Sequence, residues 1–323
     1  MIEGGEARVT ERHYLGIDIG GTNIVYAVVT ADGKLIREQR MKTNPARRAS
    51  EILHEVLTAS QVWIQQDSLI MSVGIGLPGI VDAERGIARN CPNLGWTDVD
   101  VIAPVQENLA VPVLLENDVR CMALAERSFG AARGTDDSIC IALGTGIGSG
   151  IFVRGELLRG TCGAAGEVGH MTIIPVGGAQ CGCGNTGCWE TLASGSAIVR
   201  HARCALEHAQ RFNIPTALKE PLDGIKVADA AREWDSVAVA VLQEAGRFLG
   251  IGLANLVNLF NPECVVLGGG MALAGDALFI PAQQEMLRRV MVNPIHNVRI
   301  IPAELGSSAG AIGAAVLGLV KGA

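Results

Sequence analysis

The sequence has 323 residues, a length that suits one or two domains. Apolar residues make up 49% of it, which is ample for a buried core, and the formal net charge is −7. No basic tract exceeds a pair such as Arg47-Arg48, so the sequence disfavours a nucleic-acid partner. It has no signal-peptide-like apolar segment near its start and no run of about 18 uninterrupted apolar residues. We therefore expect a cytoplasmic protein with no membrane partner.

The first part of the sequence alternates between strand and helix patterns. Strands are predicted over 14–22, 24–30, 34–41, 69–76 and 111–115, and helices over 46–66 and 119–129. Ala31-Asp32-Gly33 is typical of a hairpin turn. The helix after the last of these strands follows the turn Glu116-Asn117-Asp118.

The second part repeats the pattern of the first. Strands are predicted over 138–143, 151–153, 264–267 and 298–301, and helices over 236–259, 276–291 and 306–320. Residues 33–37 match residues 155–159 at an offset of 122, and Gly21-Thr22 matches Gly144-Thr145 at an offset of 123. Two matches at nearly the same offset indicate a duplicated unit, so we expect two similar α/β halves. We place the small lobe at 1–118 with 306–323, and the large lobe at 119–305.

Two glycine-rich turns are candidates for binding phosphate. The first runs from Asp18 through Gly20, Gly21, Thr22 and Asn23; the second includes Gly144, Thr145 and Gly146. Glycine lets backbone N–H groups approach phosphate oxygens, and Asp18 could hold Mg²⁺. A single turn of this kind is as readily a plain hairpin, but two of them favour a triphosphate. Strands follow both turns, which excludes a dinucleotide fingerprint.

One histidine and three cysteines have the spacing of a structural metal site. His170, Cys181, Cys183 and Cys188 supply one nitrogen and three sulfurs, the donor set of a closed tetrahedral zinc site. A loop of free thiols is the alternative. The six other cysteines are scattered and are predicted to be small buried hydrophobes, while Trp63, Trp189 and Trp234 are assigned to packing.

Carboxylates flank this candidate zinc loop, and another follows the strand at 111–115. Glu167 precedes His170 and Glu190 follows Cys188, so the loop would bring both towards one place. Carboxylates accept hydrogen bonds from sugar hydroxyls, although a surface glutamate is an open alternative for either. Asp118 is suited to accept a hydroxyl proton, and its alternative role is to cap the helix that follows. Gly79, after Pro78, could form a rigid wall of a pocket.

Together these motifs resemble the ROK family of sugar kinases and repressors. The resemblance rests on the turn at 18–22, the turn at 144–148 and Glu167-Val-Gly-His170, and it covers about 14–320. It implies the two-lobed, actin/hexokinase-like (ribonuclease H-like) ATPase fold with duplicated mixed sheets. It also implies ATP and Mg²⁺ in a cleft between the lobes, with the last helix packed on the first lobe.

The resemblance also implies a role for each candidate residue. Asp118 is the expected general base, with Asn117, Glu167, His170 and Glu190 as sugar ligands. His170, Cys181, Cys183 and Cys188 match the zinc motif of the family. The loop Gly268, Gly269 and Gly270 resembles an adenosine-side loop, with a plain strand–helix turn as its alternative. The stretch around Asn93, Pro92-Asn-Leu-Gly-Trp96, is similar to one in bacterial glucokinases, and predicts Asn93 on a sugar hydroxyl.

The expected activity is therefore phosphorylation of glucose at its 6-hydroxyl by ATP. N-acetylmannosamine, N-acetylglucosamine, fructose and allose remain alternative substrates, and polyphosphate an alternative donor. A sugar-sensing repressor is disfavoured because the 13 residues before Tyr14 are too few for a helix-turn-helix module. By resemblance we expect a homo-oligomer, either a dimer or a tetramer.

Overall fold

The computed structural model describes residues 11–44, 46–291 and 298–322. Its contacts divide the chain into two units. The first comprises the described residues up to Phe129 together with those from Ser308 onward, and the second is Gly130–Ser307. Each unit has its own apolar core.

A five-stranded mixed sheet forms the centre of the first unit. Its elements are β1 (His13–Ile19), β2 (Asn23–Thr30), β3 (Leu35–Lys42), α1 (Ala49–Gln66), β4 (Ile70–Leu77), β5 (Ile80–Asp82), β6 (Ile87–Cys91), β7 (Trp96–Asp100), α2 (Ile102–Gln106), β8 (Val113–Asn117) and α3 (Asp118–Phe129). The sheet order is β3-β2-β1-β4-β8, with β5, β6 and β7 in a separate small sheet. β1 pairs antiparallel with β2 and parallel with β4, which in turn pairs parallel with β8.

The second unit has a sheet of the same design. Its elements are β9 (Ser138–Leu143), β10 (Ile147–Val153), β11 (Glu156–Leu157), α4 (Glu190–Ala193), α5 (Gly195–Arg211), α6 (Gly224–Arg232), α7 (Ser236–Phe260), β12 (Cys264–Gly268), α8 (Asp276–Arg289) and β13 (Arg299–Pro302). The sheet order β11-β10-β9-β12-β13 reproduces the order of the first sheet. β9 pairs antiparallel with β10 and parallel with β12, as β1 does with β2 and β4. The predicted α/β fold with duplicated mixed sheets is confirmed.

Several short elements were not predicted from the sequence. β5–β7, β11, α2 and α4 have at most five residues each, which leaves little periodicity to detect. The longer helices α5 and α6 were also missed, although the buried positions of α5 follow a helical period. The strand predicted at 111–115 lies at Val113–Asn117, so Glu116 and Asn117 belong to β8 and Asp118 begins α3. The last helix, α9 (Ala309–Lys321), begins after a 3-10 turn at Gly306–Ser308.

Helix α7 is long and apolar enough to resemble a membrane span by length and composition alone. However, 56% of its most apolar window is buried inside the protein, and it packs along α8 and against α5. Its buried positions, such as Leu242, Leu249 and Leu253, belong to the core of the second unit. This is the behaviour of a core helix.

Helix α9 packs closely on β1, β4 and α3 because glycines face it. A Cβ atom on Gly16 would overlap the carbonyl oxygen of Ala311, and one on Gly74 would overlap that of Ala314. From the helix side, a Cβ on Gly313 would overlap the carbonyl of Cys121 in α3. Backbone therefore contacts backbone on both faces of α9.

We predict that Gly74→Ala destabilises the protein by about 2–3 kcal/mol, because the new methyl group forces α9 away from β4. Thermal and urea unfolding measure the change. Gly182→Ala is the control, since nothing lies within 4 Å of a Cβ at that position. Equal stability of the two variants would show that α9 does not depend on this close contact.

Candidate active site

Two predicted site carboxylates lie at the carboxyl ends of the two strands that flank β4 in the first unit. Asp18 is near the end of β1, and Asp118 directly follows β8. Between these strands is β4, whose Gly76 pairs with both Asp18 and Glu116. A Cβ atom on Gly76 would lie 3.7 Å from both Asp118 Cα and Asp18 Oδ1. Asp18 and Asp118 therefore lie close to each other, on either side of Gly76.

Asp18 also lies against the start of α9. A Cβ atom on Gly310 would overlap its carboxylate oxygen Oδ2. Desolvation, followed by the charge of Asp118, raises the pKa of Asp18 to about 7, against a smaller lowering by Arg40. A divalent cation, whose preferred ligands are oxygen atoms, would relieve this repulsion. Asp18 therefore fits the predicted role in holding Mg²⁺.

Hydrogen bonds fix the orientation of Asn117. Its Oδ1 accepts the backbone N–H of Arg120 at 3.0 Å, and its Nδ2 donates to the carbonyl of Gly79 at 3.0 Å. The first bond is a helix cap. The capping role considered for Asp118 therefore belongs to Asn117. Asp118 Oδ1 accepts the N–H of Val119 at 2.8 Å.

The glycine turn between β1 and β2 lies next to a predicted sugar ligand. Gly20 donates its N–H to the carbonyl of Asn23 at 2.9 Å, which closes the turn, and Thr22 is exposed. A Cβ atom on Gly21 would be 3.1 Å from the carbonyl oxygen of Asn93. Asn93 itself is exposed on the 3-10 turn Pro92–Leu94.

Gly79 has a backbone conformation that favours glycine. Its φ is +88°, and a Cβ atom there would overlap the carbonyl oxygen of Asn90. Through its contact with Asn117, it connects the loop after β4 to the end of β8. The first unit thus brings Gly79 to Asn117, and Asn93 to the Gly20–Asn23 turn.

In the second unit, the predicted metal ligands converge. One donor atom from each of His170, Cys181, Cys183 and Cys188 lies within 4.8 Å of the others. Cys181 Sγ is 3.6 Å from His170 Nδ1, and Cys183 Sγ is 3.7 Å from Cys188 Sγ. Desolvation raises the pKa of Cys181 and of Cys188 above the ordinary thiol value. The donor set fits zinc, and four protein donors leave no position for an activated water.

Glu190 lies between this cluster and the second glycine turn. Its Oε1 is 3.0 Å from Cys181 Sγ and 3.6 Å from His170 Nδ1. A Cβ atom on Gly146 would meet the other carboxylate oxygen, Oε2, at 2.5 Å. One carboxylate therefore contacts both the candidate zinc site and the candidate phosphate loop.

Glu167 precedes the 3-10 turn Val168–His170 and has an exposed side chain. Its carbonyl accepts the N–H of His170 at 3.1 Å. A Cβ on Gly169 would overlap the carbonyl oxygen of Ile147, so this turn packs directly on the start of β10. The Glu-Val-Gly-His sequence thus places His170 beside the turn that contains Gly146.

The two glycine loops of the second unit lie at the ends of neighbouring strands. Gly144 donates to the carbonyl of Gly146 at 3.0 Å, and Thr145 is exposed. Gly269, with φ +83°, lies so close to β9 that a Cβ atom would be 2.6 Å from the carbonyl oxygen of Leu143. The Gly144–Gly146 and Gly268–Gly270 loops are therefore adjacent.

A cavity of about 870 Å³ is lined in part by Leu273, Ala274 and Gly275, which follow the Gly268–Gly270 loop in the chain. The 3-10 helix Gly270–Ala274 starts in that loop and ends in the cavity wall. The remaining wall includes Arg232, Trp234, Gln243 and Ile280. Assigning Trp234 to packing was wrong, because its side chain is 86% exposed at the edge of this cavity.

Arg40 and Gly310 are site residues that the sequence analysis missed. Arg40 aligns with Val25, and Val25 with Asp18, across three adjacent strands. The hairpin register could have shown this relation. No local signal identifies Gly310, because its contact with Asp18 spans almost the whole chain.

Comparison with known proteins identifies the family. The model of the ROK family matches residues 14–321. The chain belongs to the ROK family. A glucokinase of Halalkalibacterium halodurans is 34% identical over 313 residues, covering 94% of each chain. A crystal structure of a ROK family glucokinase from Streptomyces griseus, in complex with glucose and AMPPNP, is 35% identical with a TM-score of 0.82, covering 94% of this chain and 98% of that one.

The relatives of this chain also include transcriptional repressors. The xylose repressor of Bacillus subtilis is 31% identical over 302 residues. The match covers 93% of this chain but 75% of the repressor.

We predict that the protein binds about one zinc ion per chain and that Cys183→Ser loses it, because one of the four donors is replaced by a weaker one. Metal analysis by mass spectrometry measures this. Cys204→Ser, at an exposed cysteine on α5, is the control. Full zinc content in the Cys183 variant would contradict the assignment.

We predict that Asp18→Asn stabilises the metal-free and nucleotide-free protein at neutral and higher pH. Because the pKa of Asp18 is raised in the folded state, the wild type loses stability relative to the variant as pH rises from about 4 to about 7. Between pH 5 and pH 8 the gap should widen by roughly 2 kcal/mol. Urea unfolding at both pH values measures it.

Asp32→Asn is a control of opposite sign. A hydrogen bond from the Thr30 hydroxyl lowers the pKa of Asp32, so its replacement should not stabilise the protein at pH 8. A pH-independent effect of Asp18→Asn would contradict the account of its electrostatics.

Proposed function

We propose that this protein is a sugar kinase that transfers the γ-phosphoryl group of ATP to the 6-hydroxyl of glucose. The observation that supports it most directly is the pair of carboxylates beside Gly76. Phosphoryl transfer needs positioning, charge neutralisation and a group that accepts the hydroxyl proton. Asp18 is suited to charge neutralisation through Mg²⁺, and Asp118 is suited to accept the hydroxyl proton. Both lie in one small region of the first unit.

In the proposed reaction, Asp118 accepts the proton of the sugar 6-hydroxyl. The hydroxyl oxygen forms a bond to the γ-phosphorus, while the bond from that phosphorus to the β–γ bridging oxygen breaks. The products are glucose 6-phosphate and ADP. Bound Mg²⁺, held through Asp18, would neutralise negative charge on the phosphates. The N–H groups of Gly20–Asn23 and Gly144–Gly146 would hold phosphate oxygens.

Sugar recognition is proposed for residues of both units. Gly79, Asn93 and Asn117 belong to the first, and Glu167, His170 and Glu190 to the second. If His170 binds zinc through Nδ1, its Nε2 carries the proton and can donate to a sugar oxygen. Zinc would then supply a scaffold that sets the tautomer of His170 and anchors the loop before Glu190.

We place the adenosine half of ATP in the cavity next to the Gly268–Gly270 loop. This loop adjoins the Gly144–Gly146 turn, which suits a nucleotide whose phosphates lie on the glycines. The cavity offers both apolar surface and polar groups, including Ile280, Arg232 and Gln243. The adenosine-side role predicted for the Gly268–Gly270 loop is thereby assigned to this loop together with the cavity beside it.

Glucose is the preferred substrate in the proposal because the relatives named glucokinases align over nearly their whole length. The chain covers 94% and 96% of two of them, but 75% of the xylose repressor. A repressor is the second candidate, because the xylose repressor of Bacillus subtilis is among the relatives of this chain. The predicted cytoplasmic location and homo-oligomeric state stay predictions.

We predict that Asp118→Asn lowers kcat for glucose by about 10²–10⁴-fold, because an amide cannot accept the hydroxyl proton. Glucose affinity, measured by calorimetry, should change little. Asp98→Asn is the control: Asp98 is exposed, and asparagine tolerates its positive φ. Wild-type-like turnover in the Asp118 variant would overturn its assignment as the base.

We predict that MgADP changes the tryptophan fluorescence of the protein through Trp234. The other three tryptophans, Trp63, Trp96 and Trp189, are buried, whereas Trp234 lies at the cavity. Trp234→Phe should remove the response while ADP still binds by calorimetry. An unchanged response in Trp234→Phe would place the nucleotide elsewhere.

A further inference from the structure

A buried ion pair lies next to the proposed catalytic residues. Glu116, on β8, is 0% exposed, and Arg120, on the first turn of α3, is 2% exposed. Arg120 Nη1 donates to Glu116 Oε1 at 3.2 Å. Neither residue has a role in the function proposed above.

The pair holds Asn117 from two sides. Glu116 Oε1, the oxygen that accepts from Arg120, also accepts the backbone N–H of Asn117 at 3.0 Å. The backbone N–H of Arg120 donates to the Asn117 side chain. The main chain of Asn117 is therefore fixed by Glu116 at the point where β8 ends and α3 begins. Asp118 is the next residue.

Stability alone gives little reason for this arrangement. Removing charges from water costs several kcal/mol per ion, and replacing a buried ion pair by apolar residues of similar volume is often neutral or stabilising. An apolar pair would, however, leave the N–H of Asn117 without the Glu116 acceptor. The feature that an apolar pair cannot supply is the hydrogen bond to Asn117.

We propose that Glu116 is a positioning residue for phosphoryl transfer, and that Arg120 is the counter-ion that permits its charge to be buried. Glu116 fixes the main chain of Asn117, and through it the direction of the Asp118 carboxylate. The inference rests on the proposed function, because it assigns Glu116 an effect on the same reaction. Misplacement of a reacting group by about 1 Å can lower a rate about 100-fold.

Two matched double variants separate positioning from stability. Both carry Arg120→Met, so both lack the positive charge of Arg120. Glu116→Gln keeps an oxygen that can accept the Asn117 N–H, whereas Glu116→Met has a similar unbranched shape and no such acceptor. We expect the glutamine variant to retain kcat within about threefold of wild type, and the methionine variant to lose about 100-fold.

Thermal unfolding of both variants is measured alongside kcat. A kcat gap between variants of similar unfolding temperature supports positioning, since a purely structural role would not separate them. Equal kcat values in the two variants would overturn the proposal, whether both are active or both are impaired. If the methionine variant does not fold, Glu116→Leu in the same background replaces it with the same expectation.

The test also distinguishes failure of the proposed function. If the wild type turns over no sugar, glucose affinity becomes the readout, because Asn117 is a proposed sugar ligand. The methionine variant should then bind glucose at least about tenfold more weakly than the glutamine variant. Equal affinities would overturn the role of Glu116 independently of catalysis.

Discussion

The candidate site of the first unit depends on backbone packing at glycines. Gly16 and Gly74 let α9 approach β1 and β4, and Gly313 lets it approach α3. The same helix carries Gly310 to the Asp18 carboxylate. Because no side chain separates these elements, small displacements of α9 would be transmitted directly to the strand ends that carry Asp18 and Asp118. The geometry of the site is therefore a consequence of close packing rather than of the local sequence around each aspartate.

Such packing places like charges close together, which opposes stability. Desolvation and Asp118 raise the pKa of Asp18, so in the absence of a cation the site favours the neutral carboxyl group more strongly than water does. Magnesium-bound nucleotide would remove this penalty in the proposed reaction. In the second unit, Glu190 contacts both a candidate zinc ligand and the glycine turn. In both units, a carboxylate is held where a cation or a polar ligand would stabilise it.

Local patterns predicted much of this arrangement. The spacing of His170 and the three cysteines identified a cluster that converges in the structure. The repeated glycine turns predicted a duplication that the two sheet orders confirm. Strand limits were less accurate at 111–115, so the capping role of Asn117 was considered for Asp118 as an alternative to catalysis. Contacts such as Gly74 with Ala314 join residues far apart in sequence, and no periodicity or motif reveals them.

The most direct test of the proposed function is a coupled assay of ADP release with MgATP and zinc-replete protein. It is run across glucose, fructose, allose, mannose, N-acetylglucosamine and N-acetylmannosamine. We expect the highest kcat/KM for glucose, with glucose 6-phosphate formed in equal amount to ADP. Preference for an N-acetylated sugar would contradict glucose as the substrate but keep a kinase. Sugar binding without turnover of any sugar would contradict the kinase and favour a sugar-sensing regulator.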